Sequence, residues 1–292
     1  MRSNKRRRRP AFQDIAALLA AALGAALLGV FFLLGLRPVP PAAVLKSTAD
    51  SPSGKPLAGV TVVLDPGHGG ADPGTVAGRL SEATLTYRTA SELSAALQDS
   101  GARVVCTVRS RCLDPQLAAA EPPPLPPDDA VMAATGEPLR ARHSPRPLWQ
   151  RAATARAIWD KSVRSDPNAA RDVFFLSLHF DASSAPGIHG GVVCVDRRVP
   201  VVPALARALA AQMTVDNLGR TGDFHGIPGL SGRELGVLDP EYNPVPEKVL
   251  LELATLSDPQ DALEAENPAW RGEVVRRIAL AITQTHQAPA SP

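Results

Sequence analysis

Residues 60–74 read VTVVLDPGHGGADPG and place one imidazole, His68, on a glycine-rich turn directly after an apolar β-branched run. A histidine with so little side-chain bulk around it has no hydrophobic reason to be there, and it is well placed to meet a metal ion. Three further residues sit where apolar runs meet loops. Glu82 opens a helical segment, His179 closes VFFLSLH and Glu252 closes VLLE. Two neutral imidazoles and one carboxylate form a ligand set for catalytic zinc, with a fourth position left for water. A separate carboxylate then has the complementary task of taking the water's proton and handing it to a leaving group. Plainer readings exist. Glu82 suits a first helical turn because the helix dipole favours acids there, and His179 suits a strand end as a satisfied core histidine. Glu252 resists such a reading: an acid inside LLEL is paired or functional, since an isolated buried charge is too costly. His143, His189, His225 and His286 fall in a proline-rich stretch, in glycine-containing loops and near the C-terminal tail, where solvation is the simpler account.

For the four residues to meet, the elements must deliver them to one edge. Periodicity predicts strands over 60–64, 103–107, 173–178, 192–195 and 249–253. It predicts helices over 82–99 and 203–215, and over the stretches marked by Leu148, Ala152, Ala155, Trp159 and Val163 and by Trp270, Val274, Ile278 and Ile282. Ser81 can cap the 82–99 helix and Gly101 can close it. Strands alternating with helices, several strands apolar throughout, imply a single α/β domain. Its sheet is largely parallel and flanked by helices on both faces. Sites in such sheets form where strands deliver their carboxyl ends. His68, His179 and Glu252 take such ends, and Glu82 starts a helix on the same side. Residues 110–147 contain EPPPLPPDD and HSPRP. Proline at that density forbids helix and ladder pairing and predicts a surface insertion without regular structure.

The N-terminus is separate in character. Residues 1–14 carry the basic block KRRRR, and residues 15–36 carry no charge. A membrane-spanning helix needs about 20 apolar residues, against about 7–15 for the apolar part of a cleavable signal. The basic block predicts a cytoplasmic N-terminus. The expectation is one transmembrane helix preceding the domain, the alternative being a long cleaved signal segment cut near Pro41-Ala42-Ala43. Residues 37–56, rich in Pro, Ala and Ser, read as a linker. The domain then spans 57–287, with the insertion at 110–147 and a short tail at 288–292. It would face the periplasm, either tethered or secreted there. The formal charge of +2 misleads: removing the seven basic residues and one acid of residues 1–37 leaves 24 basic against 28 acidic residues. That balance excludes a nucleic-acid partner. Cys106, Cys112 and Cys194 form no CxxC pair, which argues against a cysteine zinc site. A Cys106–Cys112 bridge and three separate thiols stay open as alternatives.

Taken in order, LDPGHGGADPG, LSEATL, FLSLHFDAS and VLLELATLSDP resemble the four motif segments of the type-3 class of zinc-dependent N-acetylmuramoyl-L-alanine amidases, bacterial cell-wall hydrolases. The stretch around Leu148–Ala155, with Arg151, resembles that family's L-x-x-R helix, and GRELGVL resembles the strand before its catalytic segment. The resemblance covers roughly residues 58–285, leaving out 110–147. It implies Zn2+ held by His68, Glu82 and His179, and Glu252 as the catalytic base. It also implies peptidoglycan as substrate, cut at the amide between N-acetylmuramic acid and the L-alanine of the stem peptide. Asp65 and Asp181 are candidates to orient the metal-bound histidines. The chain departs from the family where HFD replaces HAN or HAD, and where ATLSD replaces GFLSN. Those departures motivate one rival reading, a weakly active or inactive module that binds peptidoglycan or divisome proteins. The same ligand set would also serve a zinc peptidase cutting within the stem peptide. A regulatory protein partner and attachment to the membrane through the N-terminal helix complete the expected partners.

Overall fold

The computed structural model describes residues 54–69, 72–110, 131–133, 146–214 and 223–289, within the unit Ser53–Pro292. Its centre is a six-stranded sheet. The strands are β1 (Thr61–Pro66), β2 (Arg103–Cys106), β3 (Val173–Asp181), β4 (Val192–Asp196), β5 (Leu230–Arg233) and β6 (Glu247–Thr255), in the spatial order β5-β4-β6-β3-β1-β2. The helices are α1 (Glu82–Asp99), α2 (Arg146–Ser165), α3 (Ala204–Thr214), α4 (Pro259–Glu266) and α5 (Pro268–Gln287). β1 is buried along its whole length, so both its faces need cover. Side chains alternate along a strand, and the two sets enter different cores. Val62, Leu64, Phe174 and Leu176 join Leu85, Leu93 and Leu97 of α1, Leu205 and Leu209 of α3, and Val274, Ile278 and Ile282 of α5. Val63, Phe175, Cys194 and Leu250 instead join Ala155 of α2 with Val237, Leu238 and Val245. Helices thus cover both faces, as expected for such apolar strands.

The sheet is parallel except at one seam. β4 runs antiparallel to β6, whereas β3 runs parallel to it. β3 and β6 extend beyond the expected 173–178 and 249–253, because their ladder continues through Glu252 opposite His179 to Thr255 opposite Asp181. The two site residues therefore lie side by side within the ladder rather than at its last rung. GRELGVL is strand only as far as Arg233; Gly236–Leu238 is a 3-10 turn. The insertion is also not wholly irregular. Val131–Ala133, inside it, pairs antiparallel with Val108–Ser110, three rungs that avoid the proline runs. Helix α2 begins at Arg146 and carries Pro147 in its first turn, where a missing N–H costs nothing. Among the described residues no helix is long and apolar enough to cross a membrane. The expected membrane segment, residues 15–36, lies outside them.

Candidate metal centre

The loop after β1 is held tightly. Gly67 N–H donates to the Leu178 carbonyl at 2.8 Å, and the Thr86 hydroxyl donates to the Gly67 carbonyl at 2.8 Å. Arg151 of α2 reaches under the loop, donating to the carbonyls of Pro66 at 2.5 Å and His68 at 2.6 Å. The same guanidinium meets the Asp65 carboxylate at 2.6 Å. Asp65 is fully buried and also accepts from Thr107 at 2.5 Å and Ser177 at 2.6 Å. This clamp fixes the backbone of His68 in the left-handed region, φ 62°, a conformation that costs a residue with a side chain about 1–3 kcal/mol. The glycines permit the crowding. A Cβ on Gly67 would stand 2.4 Å from the His179 ring, and one on Gly74 would stand 2.6 Å from Glu82 Oε2 and 2.8 Å from the His68 ring.

His68, Glu82 and His179 come together here. His68 Nε2 lies 3.1 Å and His179 Nδ1 3.0 Å from the same oxygen, Glu82 Oε1. One ligand atom from each of the three residues lies within 4.8 Å of the others. Glu82 sits at the first position of α1, capped by Ser81 as expected. Its carboxylate is fixed further by the Phe180 N–H on Oε1 at 3.0 Å and the Thr75 N–H on Oε2 at 2.9 Å. The other ring nitrogen of His68, Nδ1, lies 3.0 Å from Asp72 Oδ2. A carboxylate only accepts, so Nδ1 donates to Asp72, and Nε2 is the nitrogen left to face Glu82 Oε1. Two imidazole nitrogens thus converge on one anionic oxygen, where ring protons or a metal cation would satisfy them. Burial alone would lower the His68 pKa, but the Glu82 and Asp72 carboxylates outweigh it and raise it. Burial would raise that of Glu82, yet the hydrogen bonds from His179 and His68 hold it far below the ordinary carboxylate range. Ligands about 2.1 Å from a tetrahedral ion stand roughly 3.4 Å apart. The two nitrogen–oxygen separations are 3.0 and 3.1 Å, and all three ligand atoms lie within 4.8 Å of one another, close enough for one ion to be held by an N,N,O donor set.

Glu252 completes the constellation beside His179 on the neighbouring strand. It is only 8 % exposed, and its Oε2 is buried without a hydrogen-bond partner among the described residues. Burial pushes its carboxyl up to about 7; the charges of Asp181 and Glu82 add to this, and those of His179 and Arg233 oppose it. Such a group can accept a proton and release it near neutral pH.

All four expected residues therefore meet, but one expected supporting role does not hold. Asp65 touches neither histidine; its oxygens are taken by Thr107, Ser177 and Arg151. Asp181 faces Arg233 at 3.5 Å and caps the Ala182 N–H at 2.8 Å. The carboxylate that orients His68 is Asp72, whose position four residues along the same turn was the available signal. Arg233 is a second residue that sequence reasoning passed over, since nothing in GRELGVL marks a strand-end arginine as pointing toward Glu252. Among the described residues, the group that could hold a metal contains no other histidine. His225 is exposed with its ring against Phe224, and His286 pairs with Asp172 at 3.1 Å. His143 lies outside the described residues, as does Cys112 of the candidate disulfide.

Comparison with known proteins agrees with this picture. A family model described as N-acetylmuramoyl-L-alanine amidase matches residues 62–284. The germination-specific N-acetylmuramoyl-L-alanine amidase of Bacillus subtilis is 46 % identical over 55 residues, 19 % of this chain and 23 % of that protein. The likeness spans less than a quarter of the length of the curated relatives matched. Among solved structures, the amidase Ami1 of Mycobacterium smegmatis superposes with a TM-score of 0.55 at 19 % identity, over 79 % of this chain and 98 % of that one. The CwlD amidase of Clostridioides difficile, solved in complex with the GerS lipoprotein, gives 0.53 at 19 % identity, over 77 % and 98 %. At such identities these likenesses concern the fold.

Proposed function

The chain belongs to the N-acetylmuramoyl-L-alanine amidase family, and on that premise we propose that it hydrolyses the amide between N-acetylmuramic acid and the L-alanine of the peptidoglycan stem peptide. The observation that carries the reading is the convergence of His68, Glu82 and His179 with Glu252 buried alongside. The three would hold Zn2+, to which two imidazoles and a carboxylate are suited. A bound zinc ion would polarise the lactyl carbonyl and lower the pKa of a water to about 7. Glu252 takes the proton from that water. It then delivers the proton to the departing alanine nitrogen, which leaves poorly as an unprotonated amine. The unpartnered Oε2 is the atom suited to both transfers. Asp72 holds the His68 ring in one tautomer, and the Arg151 clamp holds the loop against its own strain.

The reaction belongs outside the cytoplasm. We place residues 1–14 in the cytoplasm, residues 15–36 in the membrane as an anchor, 37–56 as a linker and 57–287 in the periplasm as the catalytic domain. Its support is the uncharged stretch flanked by the basic block. A regulatory protein partner is part of this proposal, supported by the CwlD–GerS complex among its structural neighbours.

Digestion of purified peptidoglycan by the zinc-loaded chain, followed by mass spectrometry, tests the reaction. Stem peptides with free L-alanine amino ends are expected. Cuts between amino acids would point to a peptidase, and intact linkages with a folded, metal-loaded protein would reject hydrolysis.

A further inference from the structure

Arginines in this domain fall into two kinds. Arg151 is tightly held: its guanidinium meets Asp65, Pro66 and His68 at 2.5–2.6 Å. Arg198 forks onto Asp196 at 2.8 and 2.5 Å. Arg233 differs. It closes β5, opposite Asp196 of β4, and its side chain crosses β4 toward β6. Nη1 stops 3.7 Å from Glu252 Oε1 and Nη2 stops 3.5 Å from Asp181 Oδ2. Both separations exceed an ordinary charged hydrogen bond. A guanidinium offers five N–H donors in a rigid fork, and this one is about one-third exposed. The ladder beneath needs nothing from it, because β4 pairs with β6 through the backbone.

We propose that Arg233 is a specificity residue that binds a carboxylate on the leaving half of the substrate, one residue beyond the scissile nitrogen. The inference rests on the reading above, in which Glu252 protonates the departing amine. That amine lies within about 3 Å of Glu252 when it takes the proton, which puts the leaving peptide on the side of the metal cluster where Arg233 stands. One residue spans about 3.5 Å, so a carboxylate on the second residue reaches the guanidinium while the first residue's nitrogen is still at Glu252. In a wall peptide whose second residue is glutamate linked through its side chain, the α-carboxylate is free at that position. Amidation replaces it with a neutral group of similar shape. A planar fork reads the acid by two parallel charged hydrogen bonds and loses them to the amide.

The test is calorimetric titration of the full zinc-loaded chain in detergent with two dipeptides, L-Ala-D-Glu and L-Ala-D-isoglutamine. The acid is expected to bind about tenfold or more tightly than the amide, with the gap narrowing as salt is raised. Arg233→Gln should abolish the gap at unchanged melting temperature, and Arg233→Lys should retain part of it. Equal binding of the two dipeptides by the unaltered chain would overturn the proposal. So would a gap that survives Arg233→Gln, or a loss in that variant that is equal for acid and amide. The readout does not depend on turnover. An acid preference in a chain that leaves peptidoglycan uncut would sink the proposed reaction and spare the subsite. Efficient release of stem peptides without any preference would do the reverse.

Discussion

Glu252 and Asp72 illustrate how single residues set the chemistry of the site. Glu252 is buried beside two other acids and has one oxygen without a partner. Its carboxyl, pushed up to about 7, is raised above the ordinary 4.5. A raised carboxyl stabilises the fold only while protonated. Its contribution is complete below the ordinary value and is lost as pH climbs through about 7. In chelator, the melting temperature of Glu252→Gln should therefore gain on that of the unaltered chain between pH 5 and 8. The difference grows toward something on the order of 3 kcal/mol; a difference that stays flat with pH contradicts the assignment. The same variant should still bind zinc but release no stem peptide, and full activity would remove Glu252 from the role of base. Asp72 meets the His68 ring through Oδ2 and the Gly74 N–H through Oδ1. Asp72→Ala should weaken zinc by about 10–100-fold in competition with a chromophoric chelator, and unchanged affinity would show that the Nδ1 contact is idle. The candidate residues His68 and Glu252 were legible in the sequence because their types are unusual for their settings, a histidine among glycines and an acid inside LLEL. Asp72 and Arg233 were not, since an acid in a turn and an arginine at a strand end are ordinary until their neighbours are known.

Elements carry the site through a single buried ion pair. Arg151 of α2 joins Asp65 at the end of β1 to the carbonyls that flank Gly67, so one guanidinium ties helix, strand and loop together. Arg151→Ala leaves Asp65 buried without its partner and should cost about 3–5 kcal/mol in urea unfolding. A loss under 1 kcal/mol would mean that the pair does not tie the elements together. Helix α1 was readable to the residue because local signals bound it, Ser81 at one end and Gly101 at the other. Helix α4 escaped notice because eight residues show little periodicity, although Asp258 before Pro259 is a start signal. The last rungs of β3 and β6, the antiparallel seam at β4 and the Val131–Ala133 ribbon escaped for another reason. Each is decided by a partner strand far away in sequence, and no local pattern encodes who pairs with whom.

At the scale of the molecule, the two-sided core was legible from fully apolar strands, and the edge where His68, His179 and Glu252 gather followed from strand direction. The proposed membrane anchor, residues 15–36, belongs to the same reading. The full chain should stay with membranes through alkaline carbonate washing and begin at its original N-terminus. Release into the wash, or a mature start near residue 44, would replace the anchor with a cleaved signal. The central claim is narrower: two imidazoles and one carboxylate, from β1, α1 and β3, share one divalent cation with Glu252 alongside. Anomalous diffraction at the zinc edge from crystals of the zinc-loaded chain addresses it most directly. One peak is expected, about 2.0–2.2 Å from His68, Glu82 and His179. A peak elsewhere, or one that any of those three side chains fails to touch, would contradict it.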